Sequence, residues 1–140
     1  MAHYYFSHYQ LTPNDTMLLL DEQDYTITLL QAEQRVAQSR FNELEWRVLT
    51  LFFQERGIHC TYDEALAALT RLPSTLCRER IQAAKLKDVY EETVKHAFFA
   101  EMKPVRNLLF GCQSRLHTLG LHVGALLDYG YVVTAFSPGA

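Results

Sequence analysis

The sequence predicts an α+β fold, and three observations carry that prediction. The first forty residues are aromatic and β-branched runs separated by turn clusters. The middle carries apolar residues at helical spacing behind well-formed caps. The last third reads as a helix running into a β-hairpin.

His3–Leu11 is rich in Tyr and Phe, and Thr12-Pro-Asn-Asp15 is a turn cluster, so a first strand is expected there. Thr16–Leu20 is a second short strand and Asp21–Asp24 a polar turn. Tyr25-Thr-Ile-Thr-Leu-Leu30 alternates and is β-branched, which makes it a third. Residues 31–40 stay ambiguous between a fourth strand and a loop. A helix over Glu43–Arg56 is marked by Asn42 as N-cap and by Glu45 three residues on, a capping box. Phe41 and Trp46 stand at the hydrophobic-staple positions, Leu44, Val48, Leu49, Leu51 and Phe52 form the apolar face, and Gly57 ends the run. Ile58-His-Cys60 is an extended link. Thr61 with Glu64 repeats the capping box and opens a helix over Tyr62–Leu72, closed by Pro73. Thr75–Lys87 has helical composition. Asp88 with Glu91 reads as a third capping box, opening a helix that reaches about Met102.

The closing segment organises the chain. Pro104 suits the first position of a helix, where a missing N–H costs nothing. Gly120 suits its exit, where a left-handed residue is wanted. Val105, Leu109, Cys112 and Leu116 share one face. At about 100° per residue, Asn107, Phe110, Gly111 and Ser114 point outward, with Arg106, Gln113 and His117 on one flank and Arg115 on the other. Asp128-Tyr-Gly130 supplies turn chemistry between Leu121–Leu127 and Tyr131–Ala135.

Composition bounds the function. A chain of 140 residues, 49% hydrophobic and 21% charged, suits one domain over 1–140 with a real core. No apolar run approaches membrane-spanning length and no secretory layout opens the chain, so a cytoplasmic protein with no membrane partner is expected. Cys60, Cys77 and Cys112 form no C-x-x-C pair and read as buried hydrophobes. The six histidines make no H-x3-H pair, so no metal and no cofactor are expected. No nucleophile elbow, phosphate loop or Ser/His/Asp layout appears, and no enzyme is expected. The net charge of −3 is uneven: the first seventy residues carry −6 and the last seventy +3. An anionic partner would therefore meet the C-terminal half.

The order of elements resembles the OmpR/PhoB-type (ToxR/CadC-like) winged helix-turn-helix domain. Phe41-Asn-Glu-Leu-Glu-Trp-Arg-Val-Leu49 matches that family's L-T-x-x-E-[FW]-x-[LV]-L helix start. Arg56-Gly-Ile-His-Cys-Thr-Tyr-Asp-Glu-Ala-Leu66 matches P-G-x-x-[VF]-[ST]-R-E-x-L. Val105, Leu109, Cys112, Gln113, Arg115 and Leu116 fall on the recognition-helix pattern V-x3-I-x2-L-R-x-K-L, and Gly130-Tyr131 closes the wing pattern. The resemblance implies an N-terminal sheet over 1–40, two helices over 41–72, a helical insertion over 73–103, a recognition helix over 104–120 and a wing over 121–136. It departs where Gln113 replaces an Arg, and where Leu126-Leu127-Asp128 replaces a wing cation with a carboxylate.

Two functional expectations follow. The first is a transcriptional regulator whose partner is double-stranded DNA. Arg106, Asn107, Phe110, Gln113, Ser114, Arg115 and His117 would come from the recognition helix, and Tyr129 from the wing. Asn107 or Gln113 would pair with adenine, Arg106 with guanine or phosphate, and Phe110 would pack on a thymine methyl. The second is a winged helix redirected to a protein partner through residues 74–103 and Phe110, prompted by the net charge and the acidic wing. A second copy of the chain, giving a homodimer, is a further candidate partner.

Overall fold

The structure is a computed structural model that describes residues 3–6 (backbone only), 15–54, 58–92 and 94–136. Its architecture is α+β, with two small antiparallel sheets and five α-helices among the described residues. β1 (His3–Phe6), β2 (Thr16–Asp21), β3 (Thr26–Gln31) and β4 (Gln34–Arg40) form the first sheet in chain order. Of the ambiguous stretch 31–40, Gln34–Arg40 is thus a strand, β4. Its hairpin turn is Ala32-Glu33, both residues left-handed with φ of 50° and 66°. A turn of that hand normally announces itself through Asn or Gly, and neither is present. The expected turn at 12–14 and the helix end at Gly57 lie outside the described residues.

α1 (Glu43–Leu49) begins with the expected box: Asn42 Oδ1 accepts from the Glu45 N–H at 2.8 Å, and Glu45 Oε1 accepts from the Asn42 N–H at 2.9 Å. It is shorter than expected and tightens into a 3-10 turn over Thr50–Phe53. That turn carries Phe52 fully into the core, whereas Leu44, expected inward, is exposed. The buried residues of α1 are Glu45, Trp46, Val48 and Leu49, and Glu45 has a partner distant in sequence, described below. The expected link at 58–60 is not a mere connection: His59–Thr61 is β5, and it pairs with the C-terminal hairpin. α2 (Tyr62–Thr70) starts with the Thr61–Glu64 box and ends on Arg71 in the left-handed conformation.

Residues 73–104 differ from expectation at two points. α3 (Ser74–Tyr90) runs straight through Asp88, so that residue opens no helix. Its buried carboxylate instead accepts the N–H groups of Ala97 (2.6 Å) and Phe98 (3.0 Å), capping α4 (His96–Gly111) from a neighbouring helix. Free N–H groups at a helix start need such an acceptor, and the tertiary contact supplies what local sequence does not. Pro104 consequently sits inside α4 rather than at its start, on the exposed side. The expected single helix 104–120 is broken at Cys112, and α5 (Gln113–Thr118) follows. Gly120 does take the left-handed exit, with φ of 77°.

β6 (Leu121–Leu126) and β7 (Gly130–Ala135) form the expected hairpin, and the second sheet has the order β5-β7-β6. One core joins the two sheets and the helices, with Leu18, Ile27, Phe52, Val105, Leu109, Leu116 and Val123 almost fully buried. Tyr62 ties the hairpin to α2: its ring meets Tyr131 edge-on, and its hydroxyl donates to the Leu126 carbonyl at 3.0 Å. No helix among the described residues is long and apolar enough to cross a membrane.

Candidate nucleic-acid interface

The face built by α4 and α5 follows from their backing. Met102, Val105, Leu109, Cys112 and Leu116 are buried, so a helical period turns Lys103, Asn107, Phe110 and Ser114 outward, and all four are exposed. Phe110 is 56% exposed, a large apolar ring held in water at the centre of this face. Arg106 lies at its edge, half-buried, with its guanidinium 5.8 Å from the Phe99 ring centre. Residues 102–127 contain no Asp or Glu. Lys103 joins the face only because α4 extends through Pro104; a helix started at Pro104 leaves it in the insertion. The acid-free run is the sequence signal that would have found it.

Three expected contact residues are engaged within the fold. Arg115 donates through Nη1 to Glu45 Oε1 (2.9 Å) and to the Arg40 carbonyl (2.9 Å), and through Nη2 to Glu45 Oε2. Its guanidinium also lies 5.0 Å from the Phe41 ring centre. The hydrogen bond with Glu45 raises the Arg115 pKa further, so the cation is permanent. Glu45 is only 6% exposed, and its carboxylate therefore holds the α1 cap and the Arg115 fork together. Gln113 behaves like an extra strand residue beside β6: its Nε2 donates to the Val123 carbonyl at 2.9 Å, and its Oε1 accepts the Val123 N–H at 2.9 Å. His117 stacks on Phe136 with centroids 3.7 Å apart and shares a 2.9 Å hydrogen bond with His122. These two histidines lie in different elements, yet no group of three metal-ligating side chains forms among the described residues.

Tyr129 stands at the hairpin turn. Its hydroxyl is 2.6 Å from His59 Nδ1, and the rings meet edge-on at 5.3 Å. The residue is 39% exposed. Asp128 beside it is 3.9 Å from Lys95, a loose surface pair of little energetic weight. The surface left for an outside partner is therefore narrower than the sequence implies. It comprises Lys103, Arg106, Asn107, Phe110 and Ser114, with Tyr129 on the hairpin.

Beneath this face, Cys112 is fully buried at the junction of α4 and α5. Burial, aided by the nearby Glu45 charge, pushes its thiol up from 9.0 to about 11. The folded thiol thus keeps its proton to higher pH than an unfolded one. Its contribution to stability is full below about pH 9 and is lost as pH climbs toward 11. Tyr131, pushed by burial from 10.0 to about 12, acts in the same direction at slightly higher pH. Unfolding free energy should fall over this alkaline range. In Cys112→Ala the fall between pH 9 and 11 should be shallower; an unchanged slope would refute the assignment.

No family model, curated protein or solved structure matches this chain.

Proposed function

We propose that the chain is a winged-helix DNA-binding regulator, with the α4–α5 face entering the major groove and the β6–β7 hairpin as its wing. The observation that carries the reading is the acid-free outward face of Lys103, Arg106, Asn107, Phe110 and Ser114, backed by a buried seam. Two features support it. β5 lies between α1 and α2 and joins the sheet of the closing hairpin, an arrangement that suits a wing. Glu45 and Arg115, seventy residues apart and each on a motif position of the resemblance, meet in one ion pair. Lys103 and Arg106 would grip phosphates, while Asn107 offers a bidentate amide to adenine and Phe110 an apolar contact to a thymine methyl. A cytoplasmic location belongs to the same proposal, since its partner is DNA.

Two cations neutralise few phosphates, so affinity should be modest and weakly salt-dependent. Replacing both Lys103 and Arg106 with Ala should lower the slope of log affinity against log salt by about 2, with melting temperature unchanged. Absence of duplex binding at low salt would overturn the proposal, as would an unaltered slope in the double variant. The second reading, a face redirected to a protein, is favoured by one observation: Gln113, Arg115 and His117 are all engaged internally, leaving Phe110 as the dominant exposed group. In that case duplex retardation is absent, and Phe110→Asp disrupts a protein complex instead.

A further inference from the structure

We propose that a stripe along α4 holds an unpaired strand of DNA, with bases stacked on Phe99 and Phe110 and phosphates held by Lys103 and Arg106 between them. The inference rests on reading the α4–α5 face as a nucleic-acid interface, and it names the form of DNA that the face prefers. Phe99, Lys103, Arg106 and Phe110 follow one another at spacings of four, three and four residues. At 3.6 residues per turn they fall within about 60° of arc, a single stripe up the helix. Phe99 is 46% exposed and Phe110 more so. Aromatic rings interleaved with cations are the arrangement that grips single strands, because rings take base faces and cations take the backbone.

Both cations are available to a partner. Among the described residues neither Lys103 nor Arg106 forms an ion pair; the guanidinium of Arg106 lies 5.8 Å from the Phe99 ring centre. Apart from Glu101, residues 93–127 carry no Asp or Glu. Glu101 is held by Arg80 at 2.7 Å, and the helical period puts it on the opposite side of α4 from the stripe.

The rings choose between duplex and single strand. In a duplex the base faces are hidden in the stack, and the major groove offers a phenyl ring only the methyl of thymine. Eleven residues separate Phe99 from Phe110, about 16 Å along the helix axis. Over that length a duplex turns by about half a revolution. A straight stripe therefore sets one ring on base edges and carries the other out to the backbone. An unpaired strand can follow the stripe and present a base face to each ring.

The test uses the full chain and a fluorescently labelled strand of about twelve deoxycytidines, which has no thymine methyl, beside a mixed-sequence duplex of the same length. At low salt the single strand should bind more tightly than the duplex. Phe99→Ala and Phe110→Ala should each lower its affinity about tenfold, the share of one stacked base, with the salt slope unchanged. Lys103→Ala combined with Arg106→Ala should instead lower that slope by about 1.4. Phe110→Trp should keep the affinity, and its indole fluorescence should be quenched as the strand binds. The chain's one tryptophan, Trp46, is buried in the core, so quenching reports the new ring. A single strand bound no more tightly than the duplex would overturn the inference, as would indifference to both Ala substitutions or an unquenched Phe110→Trp. Duplex binding without single-strand binding would overturn it and leave the winged-helix reading standing. Single-strand binding without duplex binding would uphold it and overturn that reading. Binding of neither would overturn both.

Discussion

Arg115→Ala should destabilise the protein by about 2–3 kcal/mol, the usual cost of orphaning a buried carboxylate reduced for the partial exposure of the arginine. Glu45 is almost fully buried and keeps its α1 cap in the variant, yet loses both guanidinium contacts. The Arg40 carbonyl loses a donor as well, and the Phe41 ring its cation. Thermal or urea unfolding should show the loss directly. Glu45→Gln combined with Arg115→Leu should lose less than the two single changes together, because the double change leaves no unpaired charge. Arg106→Ala, at the edge of the outward face and without an ion-pair partner of this kind, should leave stability nearly unchanged. An Arg115→Ala variant as stable as the parent would return Arg115 to the list of free cations. Any loss of DNA binding in Arg115→Ala is therefore to be read together with its stability, whereas Lys103 and Arg106 report on the surface itself.

Gly130→Ala should be at least as damaging, by about 3 kcal/mol or more, as expected for backbone overpacking. Gly130 lies on the central strand of the second sheet, opposite Thr61 on one side and Leu126 on the other. A Cβ there would lie 2.7 Å from Thr61 Cα, 2.9 Å from the Cys60 carbonyl carbon, and closer still to the Cys60 carbonyl oxygen. These are backbone atoms, so no rotamer change relieves the contact, and β5 must detach or β7 must shift. Circular dichroism and loss of hydrogen-exchange protection at 59–61 would report the change. Gly124→Ala is the control, since a Cβ there meets nothing within 4 Å. Equal stability of the two variants would show that β5 is not packed against the hairpin at this point. The need for glycine at 130 comes from the approach of another strand, not from a left-handed backbone.

The legible parts of the fold are those governed by residues a few positions apart. Both capping boxes formed as the Asn42–Glu45 and Thr61–Glu64 spacings implied, because each closes within one helical turn. β2, β3 and the closing hairpin followed from alternation and turn composition. The face of Asn107, Phe110 and Ser114 followed from the period of the apolar seam behind it. Elsewhere local signals misled. Asp88 and Glu91 have the spacing of a capping box, but Asp88 caps a helix that starts eight residues later. Pro104 has the composition of a helix start but lies in mid-helix, where the helix gained its start from Asp88 instead. The left-handed positions at Ala32, Glu33 and Arg71 carry no residue that advertises them.

By itself, then, the order of residues determined an α+β chain, most of its elements, and which side of the closing helices is buried. Those properties depend on neighbours within a turn or a hairpin. Only the tertiary structure decided which polar side chains remain available to a partner. Arg115, Gln113 and His117 belong to the same expected helix as Arg106, Asn107 and Ser114, and residue type alone does not separate the two sets. What separates them is the arrival of Glu45, the β6 backbone and Phe136 at the first set. A hydrogen bond or ion pair forms wherever the folded chain brings a partner within reach, however distant that partner is in sequence.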